Sequence, residues 1–429
     1  MPAVPIPYGS QTISVSIPEA NYVETISARP VRPPGDEEAL IQDALDHPIG
    51  SPRLEELARP GDRVAVVVDD YTRPTPADRI LPHVLDRLHG AGVPKDQVVI
   101  VFALGTHRAM TREEMTAKIG AGPAGRYCLV NASVHGQSEY VYMGTSSLGI
   151  PIWILKQVAQ ADLRVGVGSI VPHCDVGYSG GGKILVPGVC AAQTVALNHI
   201  QGLNFQGRNL LGAPTTPIRQ DIEDAVARIG LGFIANAVTT ADRRLYALVC
   251  GAYVQAQRAG IPFAQDVYGV PARQRADIVV CSAYPGDADF IQVSKAIWSG
   301  DKLTCPGGDL IVVTPCHEGV GPYTGLPALM AQDRHEVERR IRGGEIGADI
   351  EGVTAALAVR IRRIGERVRI RMVTGGVSPA TACEMGIWLH ASVEEALDAA
   401  FARQGLQASV SAMTHGGYTF PMVAGEALG

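Results

Sequence analysis

The span from Pro172 to Gly188 carries most of the chemistry-bearing side chains of this chain. His173 stands near its start. Three consecutive glycines, Gly180, Gly181 and Gly182, follow Ser179, and Lys183 comes directly after them. His199 lies sixteen residues beyond that lysine. Imidazoles exchange protons near neutral pH, and a lysine amine acts as an anion anchor or, when neutral, as a nucleophile. Glycines in a row permit positive φ and the approach of a ligand to backbone N–H groups, so the expectation is a glycine-built hollow beside an amine. Ile184 occupies the place where a Walker phosphate loop needs Ser or Thr, and the spacing is not G-x-G-x-x-G. A tight turn with a solvated lysine would use the same residues, so the loop does not decide its own role.

Three further groups sit where an α/β protein keeps its chemistry. Asp70 and Arg73 follow the β-branched run Arg63 to Val68, and His107 follows the run Gln97 to Ala103 in Leu104-Gly105-Thr106-His107. Gln292 and Lys295 are three apart on an expected helix, so they project from one face. Two histidines suffice for an acid and a base, and Arg and Lys suit a substrate carboxylate. A third histidine can ligate nickel, copper, iron or zinc. No Cys/His cluster at chelating spacing accompanies it, so a metal here needs a cofactor to supply most of its ligands.

The elements that must position these groups read as alternating strands and helices. Arg63–Val68, Gln97–Ala103, Tyr127–Val130 and Leu163–Val171 are expected strands, of the apolar kind buried in parallel sheets. Thr75 is expected to cap a helix with Pro76 at its first position, and Thr111 with Glu114 forms a capping box. Ile152–Gln160 and Ala191–Gln201 read as helices, and Thr216-Pro217 starts another that ends at Gly230. The pattern restarts near Arg273 with a strand at Asp277–Cys281 and further strands at Asp309–Thr314, Val368–Val373 and Ser409–Met413. The expected fold is α/β with two domains, each with a Rossmann-like, mostly parallel sheet, and the active site in the interdomain cleft. The expected boundaries are 1–271 and 272–416, with 417–429 packing back on the first domain.

A net charge of −6 and a pI near 6.0 argue against nucleic acid or an anionic membrane as the main partner. No uninterrupted apolar segment approaches the roughly 18 residues of a membrane span. The N-terminal stretch, with Pro2, Pro5 and Pro7 and no basic region, lacks the pattern of a secretory signal. The eight cysteines are scattered with no C-x-x-C pair, which reads as reduced thiols in a cytoplasmic protein.

Asp70-Tyr71-Thr72-Arg73-Pro74, Gly105-Thr106-His107-Arg108, the motif from His173 to Gly188, His199, and Gln292 with Lys295 occur in one order. In these the chain resembles the nickel-dependent lactate racemase family of 2-hydroxyacid racemases and epimerases, over essentially its whole length. The resemblance implies a nickel pincer nucleotide, a pyridinium-3,5-bisthiocarboxylic acid mononucleotide joined covalently to Lys183, with His199 as the protein's nickel ligand. It implies His107 and His173 as the catalytic acid and base, and a hydride shuttle through a 2-keto acid. Arg73, Gln292 and Lys295 are then implied to bind the substrate. Asp70 orients Arg73 or binds the nucleotide, and Ser179, Gly180, Gly181 and Gly182 lie against it. The implied partners are a small 2-hydroxycarboxylate and the enzymes that mature the cofactor. Two other classes stay open on the residues alone: a Schiff-base enzyme using Lys183, and a non-catalytic binder of nucleotide or hydroxy acid.

Overall fold

Residues 3–33, 35–134, 139–205 and 209–426 are described by the computed structural model. The chain forms two compact units. One comprises Pro30–Gly202 and Pro214–Val267, and the other Met1–Arg29, Leu203–Ala213 and Tyr268–Gly429.

The first of these units holds a six-stranded sheet. Its spatial order is Leu245–Gly251, Phe233–Thr239, Leu163–Ser169, Val64–Asp69, Val98–Ala103 and Cys128–Asn131. All neighbours are parallel except the first pair, which is antiparallel. Every residue of Val64–Asp69 and of Leu163–Ser169 is buried, as a strand covered on both faces requires. One face packs on the helix Ala77–Gly90 through Ile80, Leu81, Val84 and Leu88, four positions on one helical stripe. The chain leaves Val64–Asp69 in one direction along the sheet and returns to Leu163–Ser169 on its other side. The topological switch point therefore lies between these two strands, and the crevice outside their carboxyl ends is where open α/β sheets bind ligands. The loop holding Asp70 and Arg73 and the motif holding His173 and Lys183 both leave from there.

The other unit holds a wholly parallel six-stranded sheet in the order Trp388–His390, Arg369–Val373, Thr304–Val313, Ala276–Ser282, Val410–Met413 and Tyr22–Ile26. Its switch point lies between Ala276–Ser282 and Val410–Met413. The helix Phe290–Leu303, with Gln292 and Lys295, begins beyond the carboxyl end of the former.

Three expectations need correction. The domain boundary is not sequential. Tyr22–Ile26 pairs with Val410–Met413, so the first residues belong with the C-terminal sheet. Phe420–Val423 pairs with Gly269–Ala272 in that same unit, so the described part of 417–429 does not pack back on the first one; residues 427–429 lie outside the described residues. Ile152–Gln160 is not one helix. Pro151–Leu155 is a strand paired antiparallel with Tyr140–Thr145, and a single helical turn follows at Lys156–Ala159. The β-branched and aromatic residues Ile152, Trp153 and Ile154 fit that half-buried ribbon. Thr75 does not cap the helix that starts at Ala77; its hydroxyl donates to the buried Asp69 carboxylate.

Candidate active site

His107 follows the strand Val98–Ala103, on a turn in which its own N–H bonds the carbonyl of Leu104 at 2.9 Å. Gly105, at φ +55°, makes that turn, and its N–H donates to the carbonyl of Gly188 at 3.0 Å. The His107 loop is thus tied to the end of the lysine-bearing motif.

Nδ1 of His107 makes a short hydrogen bond with Oδ2 of Asp70. The Asp70 side chain is 2% exposed and that of His107 22%. Burial alone would raise the Asp70 pKa. The charge and hydrogen bond of His107, the charge of Arg73 and the Thr72 hydroxyl outweigh it and hold the carboxyl well below its usual range. Thr72 donates to Oδ1 from its N–H at 3.0 Å and from its hydroxyl at 2.6 Å. An ionised carboxylate only accepts, so Nδ1 of neutral His107 carries the proton and Nε2 keeps its lone pair. Asp70 therefore acts through His107, a role the sequence did not single out.

His173 has the opposite tautomer. Its Nδ1 accepts the N–H of Asp175 at 3.2 Å, so in the neutral ring Nε2–H is the donor. Burial first, and then the charges of Lys183 and Arg73, push its pKa well down, against the pull of Asp175. His173 is accordingly neutral at pH 7. Lys183, on the short 3₁₀ turn Gly181–Ile184, has a pKa pushed down to about 7. Burial is the largest cause, followed by Arg73 and Arg219; Asp175 and Cys174 oppose them. A lowered pKa makes neutral amine accessible near neutral pH, where an exposed lysine is almost wholly charged.

His199 projects from the helix Ala192–Gly202, and Oδ2 of the buried Asp175 lies 3.5 Å from its Nδ1. A carboxylate behind an imidazole is the arrangement that orients metal-ligating histidines. The charge of His199 is felt by His173, and that of Arg73 by Asp70, His173 and Lys183. Asp70, Arg73, His107, His173, Lys183 and His199 thus form one electrostatic neighbourhood in one unit. The guanidinium of Arg73 forms no ion pair among the described residues, and its charge helps to hold the buried Asp70 ionised. Gln292 and Lys295 belong to the other unit, where Lys295 Nζ donates to Gln292 Oε1 at 2.6 Å, and the Asp289 side chain caps their helix by accepting the Gln292 N–H at 2.9 Å.

The glycine run departs from the expectation of a ligand cradle. A Cβ on Gly180 (φ +78°) would meet Asn236 Oδ1 at 2.7 Å and Ile170 at 2.9 Å. On Gly181 (φ +59°) it would meet the Tyr253 carbonyl at 2.8 Å, and on Gly182 it would meet Val226 at 3.1 Å. The space these glycines leave is filled by protein. Their backbone is also used internally: Gly181 N–H donates to Asn236 Oδ1 at 2.7 Å, and the Gly180 carbonyl accepts from Arg219 at 3.0 Å. Ser179 donates to the Ser169 carbonyl and accepts the Val171 N–H, so its hydroxyl holds the turn. Close packing against Asn236, Ile170, Tyr253 and Val226 is thus one requirement these three glycines meet.

Sequence reasoning missed the supports. Arg219, fully buried, also donates to the Tyr178 carbonyl, and burial lowers its pKa only to about 10, so it stays charged. Nothing in the helix Pro217–Ile229 distinguishes that arginine from a surface one. Asn236 and Lys118 are similarly silent, while Asp175 lay inside the motif, two residues after His173.

Two family models match the chain: the lactate racemase N-terminal domain over residues 8–209 and the lactate racemase C-terminal domain over residues 271–418. A lactate racemase of Lactiplantibacillus plantarum is 29% identical over 427 residues, covering 97% of this chain and 99% of its own. One from Thermoanaerobacterium thermosaccharolyticum is 29% identical over 326 residues, covering 75% and 76%. Among solved structures, the lactate racemase apoprotein from Thermoanaerobacterium thermosaccharolyticum matches with a TM-score of 0.87 at 26% identity, over 98% of this chain and 100% of that one. A protein from Thermotoga maritima matches with a TM-score of 0.68 at 16% identity, covering 90% and 98%, and shows a shared fold.

Proposed function

The chain belongs to the lactate racemase family, and on that premise we propose that it is an isomerase that interconverts the C2 stereoisomers of lactate or a related 2-hydroxy acid. The observation that carries the reading is a pair of oppositely poised imidazoles, His107 with a bare Nε2 and His173 with Nε2–H, linked through the charge of Arg73, which acts on Asp70 behind His107, on His173 and on the Lys183 amine.

The residues fit a nickel pincer nucleotide. Lys183, with its amine pKa pushed down to about 7, suits a covalent linkage to a carboxyl-derived arm, and His199, backed by Asp175, suits a metal ligand. When bound, that group would supply a hydride acceptor for C2 of the substrate and return the hydride to either face. The rest falls to the chain. Arg73 offers a fork to the substrate carboxylate. His107 Nε2 takes the hydroxyl proton, and Asp70 stabilises the imidazolium that results. His173 Nε2–H donates to the substrate oxygen as carbonyl character develops. When the hydride returns to C2, His173 gives its Nε2 proton to the substrate oxygen and takes one from solvent on Nδ1, giving up the Asp175 N–H, while the His107 imidazolium releases one, so the proton count is kept; starting from the other isomer these transfers run in reverse. Gln292 and Lys295 stay in the proposal as substrate-binding side chains, on the strength of the hydrogen bond that holds them as a pair. Asp70 is assigned to His107, and Ser179 and the glycines to holding the turn, in place of nucleotide contacts.

The test is to incubate protein co-produced with pincer-maturation enzymes with L-lactate, and separately with D-lactate, and to follow both by chiral chromatography. Convergence to a racemate from either side, with an adduct of nucleotide mass on the peptide containing Lys183, is expected. A loaded protein that leaves lactate and a panel of other 2-hydroxy acids unchanged would overturn the reading.

A further inference from the structure

In the unit bearing Gln292 and Lys295 a cavity of about 290 Å³ opens at the other end of the sheet. Its walls come from the C-terminal end of the helix Ile350–Arg367, the first residues of the strands Arg369–Val373 and Trp388–His390, and Gly386 between them. Gln292 and Lys295 lie beyond the carboxyl ends of these parallel strands, whereas this cavity lies at their amino ends. Nothing in the proposed reaction uses it.

Four arginines line it: Arg362, Arg367, Arg369 and Arg403. Two of them are neutralised. Arg367 donates twice to Asp301, at 2.7 and 2.6 Å, and Arg403 donates to Asp309 at 2.6 Å. The one carboxylate in the lining, Glu366, is bound by Arg334 at 2.7 Å. Arg362 and Arg369 form no ion pair among the described residues. Nε of Arg362 is buried with no hydrogen-bond partner, and its Nη1 packs against Gly386 (φ +68°), where a Cβ would come within 2.8 Å of it. The guanidinium of Arg369 stacks 4.7 Å above the Trp388 ring, which is 53% exposed. Met330, Ile361 and Ile387 supply apolar wall.

We propose that this cavity is a second ligand site that takes a phosphomonoester on a small organic body, separate from the site around Lys183. Two uncompensated guanidiniums match the charge of a phosphomonoester at pH 7, close to −2, and offer the planar forks that phosphate oxygens accept. The volume exceeds what a bare phosphate fills, and the indole and aliphatic wall would cover a sugar or a base.

AMP, ribose 5-phosphate and inorganic phosphate are titrated separately into the full-length protein, read by tryptophan fluorescence and by calorimetry. AMP and ribose 5-phosphate are expected to bind saturably with midpoints at or below about 1 mM, and inorganic phosphate more weakly. Arg362→Gln and Arg369→Gln should each weaken AMP binding by about tenfold or more. Arg369 is only half-buried, so its variant is expected to melt like the wild type and keeps the test valid if Arg362→Gln unfolds. No saturable binding to the wild type overturns the proposal. So does AMP binding that survives Arg369→Gln unchanged, which would place the nucleotide elsewhere. A Trp388 signal that follows protein concentration rather than phosphate overturns it as well, by marking this face as a contact between copies of the chain.

Discussion

Nζ of Lys118 lies 2.8 Å from Oδ1 of Asp69 and 3.1 Å from the carbonyl oxygen of Arg73. Both side chains of the pair are nearly inaccessible, at 7% and 10%. A buried ion pair that loses one partner leaves the other charge without compensation, at a cost of about 3–5 kcal/mol. Lys118→Met is therefore expected to lower the denaturant midpoint strongly and to reduce racemisation by releasing the loop of Arg73. Adding Asp69→Asn should recover much of the stability and little of the activity. Equal stability of the single and double variants would show that the pair is not coupled.

Asp70 reaches the reaction through His107. Asp70→Asn keeps the shape but allows the amide to favour the wrong tautomer of the ring. The expected loss is about a hundredfold or more in kcat, with KM changed little and the thermal midpoint close to that of the wild type. An Asn variant turning over at the wild-type rate would remove Asp70 from the mechanism.

Lys183 makes stability depend on pH in a stated direction. Its folded pKa is about 7 and its ordinary value 10.5. Between these values the unfolded chain holds the proton that the folded chain has released, so folding improves as pH rises. The penalty for burying the amine is greatest below pH 7 and disappears above 10.5. Thermal melts of cofactor-free protein should thus find Lys183→Met more stable than the wild type at about pH 6, with the gap closing by about pH 10. A gap that is flat across this range would mean the amine is solvated.

Gly181→Ala separates packing from ligand approach. Its Cβ would press on the Tyr253 carbonyl at 2.8 Å and on Gln257 at 3.1 Å, in a backbone conformation that disfavours alanine. A loss of about 1–3 kcal/mol is expected from urea melts of protein that has never met a nucleotide. Unchanged cofactor-free stability, with only cofactor loading impaired, would restore the cradle reading.

Most of the proposed site residues were legible because they sit just after a strand or near the start of a helix, where local sequence pattern marks the position; His199, in the last turn of its helix, is the exception. The apolar runs before them marked the positions of Arg73, His107, His173 and Lys183; their proposed roles, and that of His199 sixteen residues beyond Lys183, rested on the family resemblance. Their partners were not legible. Asp70 meets His107 across 37 residues and Asn236 meets Gly181 across 55, and both pairings depend on which strands lie side by side. The same is true of Tyr22–Ile26, an unremarkable strand by itself that completes a sheet whose other members begin at Ala276. Side-chain type and local periodicity are carried by neighbours in the chain, and so the sequence determined what chemistry is available and on which kind of element. The tautomer of each imidazole, the lowered pKa of Lys183 and the protein-filled space over the glycines come from groups brought together by strand order. Only the folded chain removes them from water and sets them within reach of one another.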